Sequence, residues 1–237
     1  MLRKTIFLVA LLSLSVVGFQ EARGQSDERK FEVGGQFTWA SIPIITGTTT
    51  TFPCTVPPCP VGTTYSRGRT NDFGFGGRVG YNLNSYVTFE AEGNLFPRDR
   101  TFAGGRKLEG LFGAKVGKRF DKAGLFAKAR PGFMRFSKGD YQPNGGGCVT
   151  VFPPPIGCFN PVAVTRFAFD IGGVAELYPS KNTIVRFDAG DTIIRYGNRN
   201  IAAFDPLSGL AGSGVVIPVG SETKHNFQGS VGFGYRF

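Results

Sequence analysis

The sequence predicts an all-β fold, an eight-stranded antiparallel up-and-down transmembrane β-barrel, and three observations carry that prediction. Apolar and polar residues alternate with period two along eight segments between Lys30 and Phe237, the pattern of strands whose faces meet different surroundings. The connections between these segments alternate in length, tight turns against long stretches rich in Gly, Pro, Thr and Ser, as in a bacterial transmembrane barrel. Past the first two dozen residues, no apolar run approaches the ~18 residues of a membrane-spanning helix, and glycine is abundant at 35 residues.

The chain opens with Arg3 and Lys4 followed by an apolar run from Thr5 to Phe19, too short to span a bilayer. Ala22 and Gly24 satisfy the small-x-small rule, so residues 1–24 read as a signal peptide cut before Gln25. Residues 25–237 then form one barrel domain. No cysteine lies near the cut, and lipid attachment there is not expected.

In the first segment Phe31, Val33, Phe37 and Trp39 share a face opposite Glu32, Gln36 and Thr38. The second sets Phe73, Phe75, Val79 and Tyr81 against Gly74, Gly76 and Arg78. In the third, Val87, Phe89, Ala91 and Leu95 oppose Thr88, Glu90, Glu92 and Asn94. The fourth opposes Leu108, Phe112 and Val116 to Lys115 and Arg119, with Leu111 breaking the pattern once. The fifth, Gly124 to Phe136, carries Lys128 and Arg130 on its polar face, and Pro131 predicts a bulge or a local loss of pairing. The sixth opposes Phe167, Phe169, Ile171 and Leu177 to Arg166, Asp170 and Glu176. The seventh opposes Val185 and Phe187 to Arg186 and Asp188. Its Asp191 falls on the apolar face, which predicts a bulge near Gly190 or a place at the membrane rim. The eighth alternates Phe227, Val231, Phe233, Tyr235 and Phe237 with Asn226, Gln228, Ser230 and Arg236.

Tight turns fall near Leu83-Asn84, Asp121-Lys122 and Pro179-Ser180, and long connections near 41–70, 97–106, 137–163 and 197–224. An even strand count places both termini on the periplasmic side and the long connections outside the cell. Val215, Val216 and Ile217, within Ser213–Val219, have the composition of a further hairpin arm above the membrane, so eight and ten strands both stay open.

The polar face gathers Arg78, Glu90, Glu92, Lys115, Arg119, Lys128, Arg130, Arg166, Asp170, Glu176, Arg186 and Asp188. Such a mixture of signs, interleaved with glycine, suits a narrow lumen where charges pair across strands. It argues against a water-soluble barrel, whose apolar residues point inward. Aromatic residues near the strand ends predict two interface belts. Trp39, Phe73, Phe96, Phe133 and Phe167 make one, and Phe31, Tyr81, Phe120, Tyr178 and Tyr235 the other.

The formal charge is +10, and about +8 once residues 1–24 are gone. In an exported chain with basic residues scattered along strands, this points to anionic outer-membrane lipid or lipopolysaccharide and not to nucleic acid. Cys54, Cys59, Cys148 and Cys158 are disulfide candidates in an oxidising compartment, with three possible pairings. Their spacings are not finger-like and His225, the one histidine, is remote, so neither metal nor cofactor is expected.

Two catalytic readings compete with plainer ones. Glu90 and Glu92 point the same way, but lumen ion pairing explains them better than acid–base catalysis. His225 with Ser221 or Ser213 matches no nucleophile motif. The expectation is therefore a non-enzymatic monomer with a structural or cell-surface interaction role and an open surface ligand. A small porin-like channel is the alternative, and a lipid-modifying enzyme stands further behind.

The last strand, with Phe237 terminal and Tyr235, Phe233 and Val231 at alternate positions before it, resembles the signal by which the outer-membrane assembly machinery recognises its substrates. The mature chain as a whole is similar to small outer-membrane barrels of the OmpA and OmpX transmembrane type. That resemblance implies the assembly machinery as a partner. It does not extend to a peptidoglycan-binding domain, because the sequence stops at the last strand.

Overall fold

A computed structural model describes residues 29–51, 61–145, 155–204 and 214–237, with the side chains of 48–51 and 61–63 left aside. The signal-peptide segment lies outside the described residues. Ten strands follow one another: β1 (Phe31–Thr51), β2 (Val61–Asn82), β3 (Val87–Phe96), β4 (Lys107–Arg119), β5 (Ala123–Pro143), β6 (Phe159–Leu177), β7 (Thr183–Tyr196), β8 (Arg199–Phe204), β9 (Gly214–Val219) and β10 (Glu222–Arg236). Eight of them, β1 to β7 and β10, form a closed antiparallel ring. β8 and β9 make the hairpin arm that the Val215–Ile217 composition foreshadows.

Closure is made by β1 and β10, in register from Glu32↔Arg236 to Ala40↔Gln228. Phe31 and Phe237 finish the seam by exchanging backbone hydrogen bonds at 3.0 Å. A ring with no free edge leaves no row of unpaired amides for hydrocarbon to meet. The tight turns lie at this end. Asn84 Oδ1 accepts from the amides of Tyr86 and Val87, and Ser180 Oγ accepts from that of Thr183.

The mouth end departs from expectation. Residues 41–70 are largely not loop, because β1 and β2 stay paired out to Thr51↔Val61. Their threonines and isoleucines are β-branched and hold extended backbone whether or not lipid covers one face. Likewise β5 runs on to Pro143, with a register shift between Phe136 and Asp140, and β6 begins at Phe159, inside the span read as 137–163. Thr101–Ala103 forms a 3-10 turn within 97–106. Pro131 interrupts pairing on its β4 side, where the ladder skips from Leu111↔Gly132 to Ala114↔Ala129 without a register change. β7 has no bulge at Gly190, since its registers with β6 and β10 are continuous. Asp191 thus stays on the outer face.

That outer face is the apolar one. Phe37, Phe75, Val79, Phe89, Phe112, Phe233 and other large apolar side chains stand exposed around the ring. Burial is reserved for the lumen, where Arg130, Arg186, Lys107, Lys115, Glu109 and Glu176 are almost wholly enclosed. A soluble protein would have it the other way round. Two belt assignments are corrected. Phe96 shares the parity of Glu92 and Asn94 and is fully buried inside the ring. Tyr178 turns toward the lumen, donating to Glu176 at 2.8 Å beneath Arg236.

Candidate functional site

Lumen side chains arise from alternate positions on neighbouring strands, so charges on adjacent strands meet directly and long ones reach across the ring. At the turn end Glu32 accepts from Asn82 at 2.9 Å and pairs with Lys115, Arg119 and Arg236 at 3.1, 3.1 and 3.2 Å. Lys115 also binds Glu176 and lies 3.2 Å from Glu90.

One level up, Arg186 grips Glu90 with two nitrogens and Asp188 with two, the latter at 2.7 and 2.9 Å. Lys128 bridges Asp170 and Asp188 at 3.0 and 3.2 Å, and Arg130 joins Asp170 to Glu92 at 2.7 and 2.5 Å. Above these, Asn94 links Glu92, Glu109 and Gln36, each at 2.8 Å, while Gln228 donates to Glu109 at 3.0 Å. Lys107 pairs with Asp72 at 2.5 Å.

Eleven of the twelve residues singled out on the polar face converge here, though among the described residues Arg78 is held only by Gln36 at 3.4 Å. Arg166 does not join them. It has lumen parity but sits at the mouth, paired through its backbone with Met134, and its side chain makes no hydrogen bond or ion pair among the described residues. Beyond those twelve, Glu32, Asp72, Lys107, Glu109 and Arg236 also join the network. Glu32 and Arg236 had the right parity, while Asp72, Lys107 and Glu109 carry the same alternation to the strand ends. With these included, the carboxylates Glu32, Asp72, Glu90, Glu92, Glu109, Asp170, Glu176 and Asp188 equal in number the cations Arg78, Lys107, Lys115, Arg119, Lys128, Arg130, Arg186 and Arg236, although Arg78 and Glu109 are held by amide side chains and form no ion pair among the described residues.

Glycines give the long cations their room. A Cβ at Gly113 would meet the Ala129 carbonyl at 2.2 Å and the Arg130 Cα at 2.7 Å, and one at Gly232 would meet Arg78 Nη1 at 3.0 Å. Leu111, the break in the β4 pattern, is a true lumen residue, buried between Glu92 and Gly132 in register.

Toward the mouth the lumen turns apolar. Ala40, Ile42, Phe96, Met134, Phe136, Ala168, Ile194 and Tyr196 form a buried cluster across the ring. The β8–β9 hairpin folds over the rim, packing Ala202 and Val216 on Tyr141. Asn200 ties it down, its amide donating to Asp140 at 2.8 Å and its side chain to the Tyr141 carbonyl at 3.0 Å. Burial and the charge of Asp99 push the Tyr141 phenol up to about 12.

Between hairpin, 3-10 turn and rim lies a small cavity with an enclosed volume of about 70 Å³. Ile42, Ile44, Phe102, Phe136, Tyr196 and Ala202 make its apolar surface, and Arg67, Lys138, Arg166, Arg199 and Lys224 its charged border. Glu222 accepts from Arg199 and Lys224 at 2.9 Å and pairs with Arg67 at 3.2 Å. Partial burial works to raise the Glu222 carboxyl, and the hydrogen bonds of Lys224 and Arg199 outweigh it, holding it below the usual carboxylate range.

His225 and Asp191 meet on the outer face at 2.5 Å, and Arg69 donates to the His225 carbonyl at 2.9 Å. Ser221 takes a backbone bond to Asn198 Oδ1 at 2.8 Å, while Ser213 lies outside the described residues. Val231, Phe233, Tyr235 and Phe237 all present exposed side chains on the outer face of β10. Of the cysteines, Cys54, Cys59 and Cys148 lie outside the described residues, and Cys158 is not a free thiol. Among the described residues, no three His, Cys, Asp or Glu side chains gather as a metal site.

Residues 8–237 match the family model described as "Outer membrane protein beta-barrel domain". No curated protein matches the chain in sequence. Among solved structures it is similar to Neisserial surface protein A, at 12% identity and TM-score 0.47, covering 87% of this chain and 97% of that one. It is also similar to outer membrane protein H of P. aeruginosa, at 14% identity and TM-score 0.40, covering 88% and 99%. The attachment invasion locus protein Ail of Yersinia pestis compares at 12% identity and TM-score 0.37, covering 88% and 99%.

Proposed function

This chain belongs to the outer membrane protein β-barrel domain family, and from that premise we propose that it is a plugged membrane scaffold with a structural and surface-interaction role. The observation that carries this reading is the filled lumen. Its charges are matched in number and closed off by an apolar cluster, which leaves no run of unpaired groups for a permeating solute. What the barrel presents instead is the paired ribbon of β1 and β2 beyond the ring, with the β8–β9 hairpin beside it. Planar-bilayer recording tests the reading. Purified protein is expected to give no reproducible single-channel steps, and steady steps would replace it with the porin-like alternative.

Two partners follow from the outer face. Arg69, Arg106, Arg135 and Arg195 are exposed at the mouth-end rim, close to Phe73, Leu108, Phe133 and Phe167. Cations beside an aromatic belt suit the phosphates of lipopolysaccharide. Binding to lipopolysaccharide-containing vesicles is expected to weaken in R135Q/R195Q and to hold in R29Q, at the opposite end. The exposed row Val231, Phe233, Tyr235 and Phe237 suits recognition by the outer-membrane assembly machinery. Deleting Phe237 is expected to lower the assembled fraction in cells while leaving refolding in detergent intact.

A further inference from the structure

We propose that the tight-turn end of the barrel holds a binding site for the phosphate of an anionic phospholipid in the inner, periplasmic leaflet. Three segments converge there: the β4–β5 turn with Lys122, the β6–β7 turn with Tyr178 and Lys181, and the end of β10 with Arg236. Backbone hydrogen bonds fix them to one another, from the Tyr178 amide to the Lys122 carbonyl at 2.9 Å and from the Arg236 amide to the Asn182 carbonyl at 2.7 Å. Between them lies an open pocket of about 310 Å³, at the lower end of the roughly 300–1,000 Å³ of small-ligand sites and with room for a headgroup phosphate.

The lining carries four cations, Arg119, Lys122, Lys181 and Arg236, against one carboxylate, Asp121. Acids are scarce on the lumen side as well, because Glu32 is already shared by Lys115, Arg119 and Arg236. Lys122 and Lys181 are exposed, and their ammonium groups form no ion pair among the described residues. Two ammonium groups beside two guanidinium groups suit a compact oxyanion that takes several charge-assisted hydrogen bonds. What makes that anion a lipid is the wall next to the pocket. Phe120, Leu125 and Leu177 stand 55%, 65% and 48% exposed at the adjoining ends of β4, β5 and β6, on the face that meets hydrocarbon. A phosphate seated between the turns lies at the depth of the turn-end aromatic belt, and its acyl chains can run along this wall. A free phosphate, or the carboxylate of a soluble peptide, gains nothing from it. Short turns face the periplasm in such barrels, so the leaflet is the inner one, at the opposite end from the arginines proposed for lipopolysaccharide.

The test uses the purified mature chain in a neutral detergent, with bound lipid counted by native mass spectrometry. One phosphatidylglycerol per barrel is expected to be retained, and no phosphatidylcholine, whose choline cancels the charge. Retention should fall roughly tenfold in K122Q/K181Q and hold in R135Q/R195Q, at the mouth end. Inorganic phosphate, which has the charge without the chains, should fail to displace the lipid at equal concentration. The heat-dependent gel shift of each variant reports that the barrel is formed. Retention unchanged in K122Q/K181Q, loss in R135Q/R195Q instead, equal retention of the two lipids, or displacement by inorganic phosphate would each overturn the proposal. Conductance does not enter this readout, so the plugged-scaffold reading stands or falls separately.

Discussion

Replacing Arg186 with methionine probes the lumen network where it is most concentrated. The guanidinium is fully buried and neutralises two carboxylates at once, Glu90 and Asp188. Removing one partner of a buried ion pair costs about 3–5 kcal/mol, because the other charge stays behind without solvent. Here each carboxylate keeps a second cation, Lys115 at 3.2 Å from Glu90 and Lys128 at 3.2 Å from Asp188. The expected loss is therefore at the lower end, ~3 kcal/mol. With a urea dependence of about 1–3 kcal/mol per molar, the midpoint should fall by roughly 1–3 M. Equilibrium unfolding from vesicles can be followed through Trp39, the single tryptophan, which packs edge-on against Phe227 on the outer face. R186M/E90Q/D188N removes the stranded charges as well and should recover most of the loss. A midpoint for R186M indistinguishable from the parent, or a triple variant weaker still, would refute the claim that these charges are held by one another.

Gly132→Val should prevent the ring from forming, since a Cβ there would lie 2.0 Å from the Gly110 carbonyl, worse than the overpacking that costs about 1–3 kcal/mol. Gly220→Ala, with nothing within 4 Å, should fold like the parent, and the heat-dependent gel shift reads both. Tyr141 should ionise at about 12 by absorbance at the phenolate band, above the ~10 of a free tyrosine. Its raised value means stability is full below the unfolded pKa and is lost as pH rises from ~10 through about 12, so the hairpin contact should loosen in that window. Y141F should abolish this transition and leave stability at neutral pH unchanged or higher, because the buried hydroxyl has no partner among the described residues. For the cysteines, denatured but unreduced protein should take up no maleimide, and reduction should expose all four thiols counted in the sequence.

The ring was legible because a membrane imposes a contrast on every residue pair of a strand. Glu90 and Phe89 cannot exchange faces without placing a charge in lipid, so parity alone assigned both. Outside the membrane that contrast vanishes. Where β1 and β2 run on past Ile42 and Thr70 both faces meet water or the rim, and the thread of threonines and glycines carried no alternation to read. Parity also gives a direction without a depth. Phe96 has the position of a belt residue, since aromatics favour strand ends, but its even spacing from Glu92 and Asn94 turns it inward. Arg166 shares lumen parity with Asp170 yet sits four residues nearer the mouth, beyond the reach of the network. Partner choice lay deeper still. That Arg130 meets Asp170 follows from the β5–β6 register, while its reach to Glu92 depends on how the ring closes.

The two halves of the lumen depend on each other. Ion pairs gain strength as water is excluded, and unmatched ones become correspondingly costly. At the turn end Arg119 and Arg236 keep some contact with solvent, each with its side chain 15% exposed. At the mouth the cluster of Phe96, Phe136, Ile194 and Tyr196 keeps water from Asp170, Glu92 and Arg130 below. The apolar cluster therefore contributes twice, through its own burial and through the dryness it imposes on the charges beneath it. The charges in turn hold the strands at the spacing the cluster needs, since Arg130 ties β5 to both β6 and β3. A pore could not be opened by deleting one layer without weakening the other, and this interdependence supports the proposal of a filled scaffold over that of a channel.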